Sequence, residues 1–97
     1  MNAAIAITAQ DNVATALEAL EPGRVLEIAG QQITVGAPIP RGHKIALRSI
    51  RAGEAVIKYG SPIGTATADI EPGMHVHTHN VESTRGRGDR GTGGAGL

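Results

Sequence analysis

The sequence predicts a mostly β domain with one short helix, and three observations carry that reading. Apolar residues come as short runs of Ile, Val, Leu and Ala, and 14 glycines and 5 prolines punctuate them. A third signal is a recurring pattern of Ile, two residues, Gly, two residues, then Ile or Val. It occurs at Ile39 to Ile45, Ile50 to Val56 and Ile70 to Val76, with a looser copy at Leu20 to Leu26. Each copy reads as a turn whose glycine needs a positive φ, followed by a strand whose first apolar residue enters the core.

Taken in order, Ala3 to Thr8 is a plausible first strand by its apolar run. Asp11 can cap a helix in which Val13, Ala16, Leu17 and Leu20 follow the i, i+3, i+4, i+7 spacing, and Pro22-Gly23 ends it. Arg24 to Ala29 and Gln31 to Val35 flank Gly30 as a hairpin. Short strands are expected at Lys44 to Ser49 and Thr65 to Ala68, with tight connections at Gly60 and Gly64. The glycines of the recurring pattern are unequally spaced, which argues against a solenoid and for a compact set of strands joined by similar turns. From residue 82 to 97 the sequence has no periodic apolar residue and nearly alternates with glycine, so it reads as a flexible tail or linker after a domain over residues 1–81.

Composition bounds the function. Nine basic and nine acidic residues cancel, which argues against a general nucleic-acid or membrane-surface role. Absence of cysteine excludes a disulfide framework and a thiol nucleophile, and no apolar run reaches the ~18 residues that cross a bilayer. A cytoplasmic setting is the default expectation. Tyr59 is the sole aromatic residue, so the core must be thin and should gain from a partner surface, a second copy included.

Chemistry concentrates at Gly73-Met-His-Val-His-Thr-His-Asn80. Three of the four histidines stand there at alternate positions, which a strand would point to one face. Imidazole is the commonest metal ligand and titrates near physiological pH, so such a row suggests a metal, a proton transfer or an anionic ligand. Same-face neighbours on a strand lie about 6.5–7 Å apart, too far for all three to share one ion. Two neighbours plus a group from elsewhere is the workable donor set, and His43, just after Gly42, is the in-chain candidate. Lys44 and Arg48 share a face of their expected strand and can clamp a carboxylate or phosphate, or be an ordinary solvated face. Lys58 and Tyr59 beside a Gly-rich turn can also touch a polar ligand, or Tyr59 can simply cover the core.

Three segments, PIPRGHKIAL at residues 38–47, VIKYGSPIG at 56–64 and HVHTHN at 75–80, make the chain resemble the small N-terminal domain of the altronate and galactarate dehydratase family. The resemblance covers roughly Ala3 to Val81 and implies a SAF domain of the β-clip fold, either fused to a large catalytic region or separately encoded as a small subunit. It implies a hydro-lyase acting on a sugar acid with a divalent metal, usually iron(II), held mainly by the large catalytic dehydratase subunit. The small subunit of sulfolactate sulfo-lyase is a related possibility, and a non-catalytic module binding a saccharide or a partner is another. On this reading His75 and His77 are the catalytic residues and metal ligands, and His43, Lys44, Arg48, His79 and Asn80 line the substrate site.

Overall fold

The structure is a computed structural model that describes residues 3–83. Nine short strands follow one another: β1 Ala4–Ile5, β2 Val13–Ala16, β3 Val25–Ile28, β4 Gln31–Thr34, β5 Lys44–Ala46, β6 Ala55–Lys58, β7 Ser61–Ala66, β8 His75–Val76 and β9 Val81–Ser83. The last of these carries the folded unit to Ser83; the rest of the Arg/Gly-rich segment lies outside the described residues. Among the described residues there is no helix, so none is long and apolar enough to cross a membrane.

The expected helix after Asp11 is therefore a strand, β2. Asp11 does not cap anything helical. Its buried carboxylate accepts bonds from the Ile7 and Thr8 N–H groups, the Thr8 hydroxyl and the Gly60 N–H, at 2.8–3.2 Å. Burial alone would push this carboxyl up, but those donors outweigh it and hold it well below the usual carboxylate range. Val13, Ala14 and Ala16 are all buried because β2 is an inner strand covered on both faces, which is why its apolar residues mimic a helical spacing. Leu17, counted in that spacing, is 46% exposed.

Strands β1-β2-β5-β8 form a central antiparallel sheet, with β3-β4 and β6-β7-β9 as separate smaller sheets. Alternation along the central strands sends side chains to two cores. Ala14, Ala16 and Ile45 join Leu26, Ile28, Ile33 and Val35 of the first hairpin on one side. Val13, Ala46 and Val76 join Val56, Ala66, Ile70 and Val81 on the other.

The recurring sequence pattern is the frame of both halves. Gly23, Gly42, Gly53 and Gly73 have φ of 92°, 86°, 91° and 87°, as a left-handed turn requires. Their N–H groups donate to the carbonyls of Val35, Ala16, Ala66 and Ala46 in turn. Leu20 bridges Ile39 in the first half as Ile50 bridges Ile70 in the second. The hairpin tips match too: Ala29-Gly30 and Tyr59-Gly60 both have two consecutive positive φ values, the signature of a type I′ turn. The unequal glycine intervals are thus one repeat counted at two points, since Gly53 follows Gly23 by 30 residues and Gly73 follows Gly42 by 31.

Gly73 is the tightest of the four. A Cβ there would collide with the Thr34 carbonyl oxygen, whereas one at Gly23 would meet nothing within 4 Å. Gly23→Ala should therefore cost only backbone strain, about 1–2 kcal/mol. Gly73→Ala should cost clearly more, about 3 kcal/mol or above, because the β4–β8 contact must also open. Equal shifts of the two variants in urea denaturation would contradict this account of the close approach.

Candidate active site at the histidine cluster

Strand β8 is only two residues long, and the reason lies in Asn80. Its Oδ1 accepts from the His77 N–H at 2.9 Å and its Nδ2 donates to the His75 carbonyl at 2.9 Å, while its own N–H donates to the His77 carbonyl at 3.1 Å. These bonds curl residues 77–80 into a turn. The three alternate histidines do not run along a strand face as the strand period suggested. The turn gathers them instead, with ring centroids of His75 5.5 Å from His77 and 5.1 Å from His79.

His43 is delivered by register. Ile45 pairs with His75 and Lys44 with Val76 across β5 and β8, so one step further along the ladder His43 faces His77. Their rings stack at 3.9 Å, and His43 Nδ1 lies 2.9 Å from His75 Nε2. One proton between those two nitrogens makes a hydrogen bond, and two would clash. Each of His43, His75 and His77 presents a ring nitrogen within 4.8 Å of the others. Buried His77 Nδ1 has no partner among the described residues.

The fit to a divalent metal follows from these positions. Three nitrogens of neutral imidazole are a common transition-metal donor set, and at about 2.0–2.1 Å from one ion they must approach closer than 4.8 Å. The rings are nearly parallel, at 12–16°, so their in-plane lone pairs do not converge without rotation about Cβ–Cγ. The backbone placement and the donors suit an ion that turns the rings.

Positive charge dominates the surroundings. Burial, then His79, His43, His77 and Lys44, lower the His75 proton affinity; burial, then His43, Lys44 and His79, lower that of His77. Lys44 is held below its usual value by burial and by Lys58. No carboxylate appears among these causes. A groove of about 420 Å³ opens beside His75 and His79, lined also by Pro38, Ile70, Met74, Asp69 and Glu71. Both of those carboxylates are ion-paired to Arg51, at 3.3 and 3.1 Å.

Of the residues expected to line a site, His43, His75, His77 and His79 come together, and Lys44 stands next to them in the charge field. Asn80 shapes the turn through both ends of its amide. Arg48 donates to the Ala9 and Asp11 carbonyls, at 3.3 and 2.8 Å, and so ties the β1–β2 connection. The Arg51–Asp69–Glu71 group at the groove was not foreseen; its one sequence signal is that Arg51 and Glu71 each stand two residues before a repeat glycine.

These strands and turns define a small all-β module with a cluster of imidazoles at one edge of its central sheet. Residues 2–84 match the family model described as the altronate/galactarate dehydratase SAF domain, and the chain belongs to that family. It is 46% identical over 83 residues to altronate dehydratase of Bacillus subtilis (strain 168), and 49% identical over 79 residues to that of Escherichia coli (strain K12). These matches cover 86% and 81% of this chain but only 17% and 16% of the two relatives. A third relative, (2R)-sulfolactate sulfo-lyase subunit alpha of Paracoccus pantotrophus, is 50% identical over 54 residues, 56% of this chain and 81% of that one.

Because folding lowers the proton affinity of His75 and His77 below the ordinary 6.5, the unfolded chain takes up protons first as pH falls. Their contribution to stability is then full above about pH 6.5 and is lost as pH drops through the lowered native values. Denaturation midpoints should decline in that window, before carboxylates titrate near about pH 4, and decline less in His77→Gln. A wild-type profile flat from neutrality to about pH 5 would contradict it.

Proposed function

We propose that this chain is the small subunit, or small domain, of a metal-dependent sugar-acid dehydratase, contributing imidazoles to the elimination of water from an aldonate or aldarate. The observation that carries the reading is the gathering of His43, just before β5, with His75 on β8 and His77 just after it, their ring nitrogens within 4.8 Å of one another at an edge of the central sheet. Family membership supplies the reaction class. The partner is a large catalytic dehydratase chain, and the site is completed where it covers that edge.

Elimination requires removing a weakly acidic proton beside a carboxylate and protonating the departing hydroxyl. His43, His75 and His77 are the residues that would hold a divalent metal, iron(II) by the family's chemistry, which when bound supplies charge stabilisation beside the substrate carboxylate. His75 and His77, kept neutral by their surroundings, are ready either as ligands or as proton acceptors at neutral pH. His79, the exposed imidazole tilted against His75, and Lys44 orient the acid. Asn80 holds the turn that aims these rings, and Arg48 acts through the β1–β2 connection.

A second reading is favoured by one observation. The sulfo-lyase relative is itself a short chain, four-fifths of which aligns here, so a separate small subunit acting on a sulfonated hydroxy acid fits the size of the match. Both readings use the same imidazoles and a carboxylate beside a hydroxyl-bearing carbon.

Reconstitution of the full chain with its large partner tests the assignment. His75→Ala and His77→Ala should each lower turnover at least about a hundredfold while the two chains still copurify. Near-normal turnover with intact assembly overturns the catalytic role. Cobalt(II) titration of the full chain, read by its visible absorbance, should show one site that His43→Ala weakens; no binding, or binding indifferent to His43, moves the metal to the partner.

A further inference from the structure

The groove of about 420 Å³ beside the imidazoles falls within the ~300–1,000 Å³ range of small-molecule sites. His75 and His79 form part of its wall, so groove and histidine cluster are continuous on one side of the molecule. Pro38, Ile70 and Met74 give it an apolar lining. Buried Ile70 is fixed by its bridge to Ile50, and Met74 packs against Gly36, where an added Cβ would meet its Sδ at 2.7 Å.

The rest of the wall is charged and held in place. Asp69 and Glu71 flank Ile70, and Arg51 pairs with both, at 3.3 and 3.1 Å. Asp69 Oδ1 also accepts from the Ala52 N–H at 2.9 Å, and Glu71 Oε1 from the Ser49 hydroxyl at 3.2 Å. A carboxylate offers about four acceptor directions, so each keeps capacity for further hydroxyl donors. Two carboxylates against one guanidinium leave this wall with negative charge in excess. The fold does not ask for the group. In the first half Ile39 takes the place of Ile70, and Pro38, Pro40 and Glu21 stand where the second half has Asp69, Glu71 and Arg51.

A molecule lying along the groove therefore meets imidazoles at one part, aliphatic and thioether surface below, and negatively charged acceptors at another. A chain of hydroxyl-bearing carbons suits all three, with its C–H faces on the apolar lining and its hydroxyls donating to Asp69 and Glu71. An acid group on that chain is repelled by the same pair and lies toward the histidines. We propose that the groove holds the hydroxylated tail of an aldonate, with Asp69 and Glu71 as its specificity residues. The step rests on the proposed function for the reacting end and narrows it to one substrate class. An aldarate brings a second carboxylate against Asp69 and Glu71, and a three-carbon sulfonated acid has no tail to place there.

Galactonate and galactarate differ only at the far carbon, a hydroxyl-bearing carbon in one and a carboxylate in the other, so the pair reads the charge of this wall. Met1 and Met74 are the chain's methionines, and Met74→Leu assigns the Met74 methyl signal. The experiment is an NMR titration of the full chain, labelled at methionine methyl and histidine in this chain alone and assembled with its large partner. Galactonate should move the Met74 and His75 signals together and bind about tenfold tighter than galactarate. Glu71→Gln, which removes a negative charge, should narrow that ratio to about threefold or less, and Arg51→Gln, which adds one, should widen it. Loss of local structure would not move the two variants in opposite directions. Equal or tighter binding of galactarate, the same direction of change in both variants, or sulfolactate binding tighter than galactonate overturns the proposal. The two labels also separate it from the reading it rests on. Galactonate moving His75 with Met74 unmoved removes the groove's role and leaves the proposed function standing; Met74 moving with His75 and His77 unmoved supports the groove and removes that reading.

Discussion

The antiparallel register between β5 and β8 is the constraint on which the histidine cluster of this chain depends. Only two residue pairs define it, Lys44 with Val76 and Ile45 with His75, yet it decides which imidazoles meet. A slip by one residue would turn Ile45 and Val76, both fully buried, toward the wrong faces. Exposing them would cost about 1.5–3 kcal/mol each. The apolar cores thus fix the pairing, and the histidines follow passively. Gly73 adds a second lock, since its close approach to Thr34 and the Gly36 N–H bond to its carbonyl set where β8 begins.

Charge is arranged as deliberately as apolar surface. The chain sums to zero, and at the groove beside His75 and His79 the carboxylates Asp69 and Glu71 are engaged by Arg51. Buried Asp11 is the exception that explains the rule. It is ionised in the interior because four donors surround it, and its task is to tie residues 7 and 8 to the tip of the second hairpin at Gly60. Lys58 instead lies over the Tyr59 ring, 5.0 Å from its centroid.

Much of the architecture was legible in the sequence because it is written in local rules. The hairpin around Gly30 and the positive-φ glycines at 42, 53 and 73 need no tertiary knowledge, and the structure has them where the pattern put them. The segment after Asp11 misled because an inner strand covered on both faces has no period-two alternation, and Val13, Ala16 and Leu20 happened to fall at helical intervals. The histidine site was half legible. His43 stood out as the in-chain candidate to join the row because few other donors exist, but the turn made by Asn80 is a side-chain-to-backbone effect that strand periodicity cannot express.

The internal repeat explains why the site lies where it does. Two copies of the same turn and strand keep their glycines and their buried residues, Leu20 matching Ile50 and Ile39 matching Ile70, because those positions hold the cores. Strand β5 belongs to both copies, as the last strand of the first half and the first strand of the second. Position 43 therefore has two counterparts: Val13 at the start of β2, buried, and Met74 just before β8, exposed. Neither is polar, so the fold does not require a histidine there. The same holds at position 77, whose counterpart 31 residues earlier is the buried Ala46. The imidazoles at 43 and 77 thus stand where the repeat accepts an aliphatic side chain, beside the edge strand β8 of the central sheet. Partly desolvated rings stacked at that edge lose proton affinity, so the cluster costs stability as pH falls instead of adding to it.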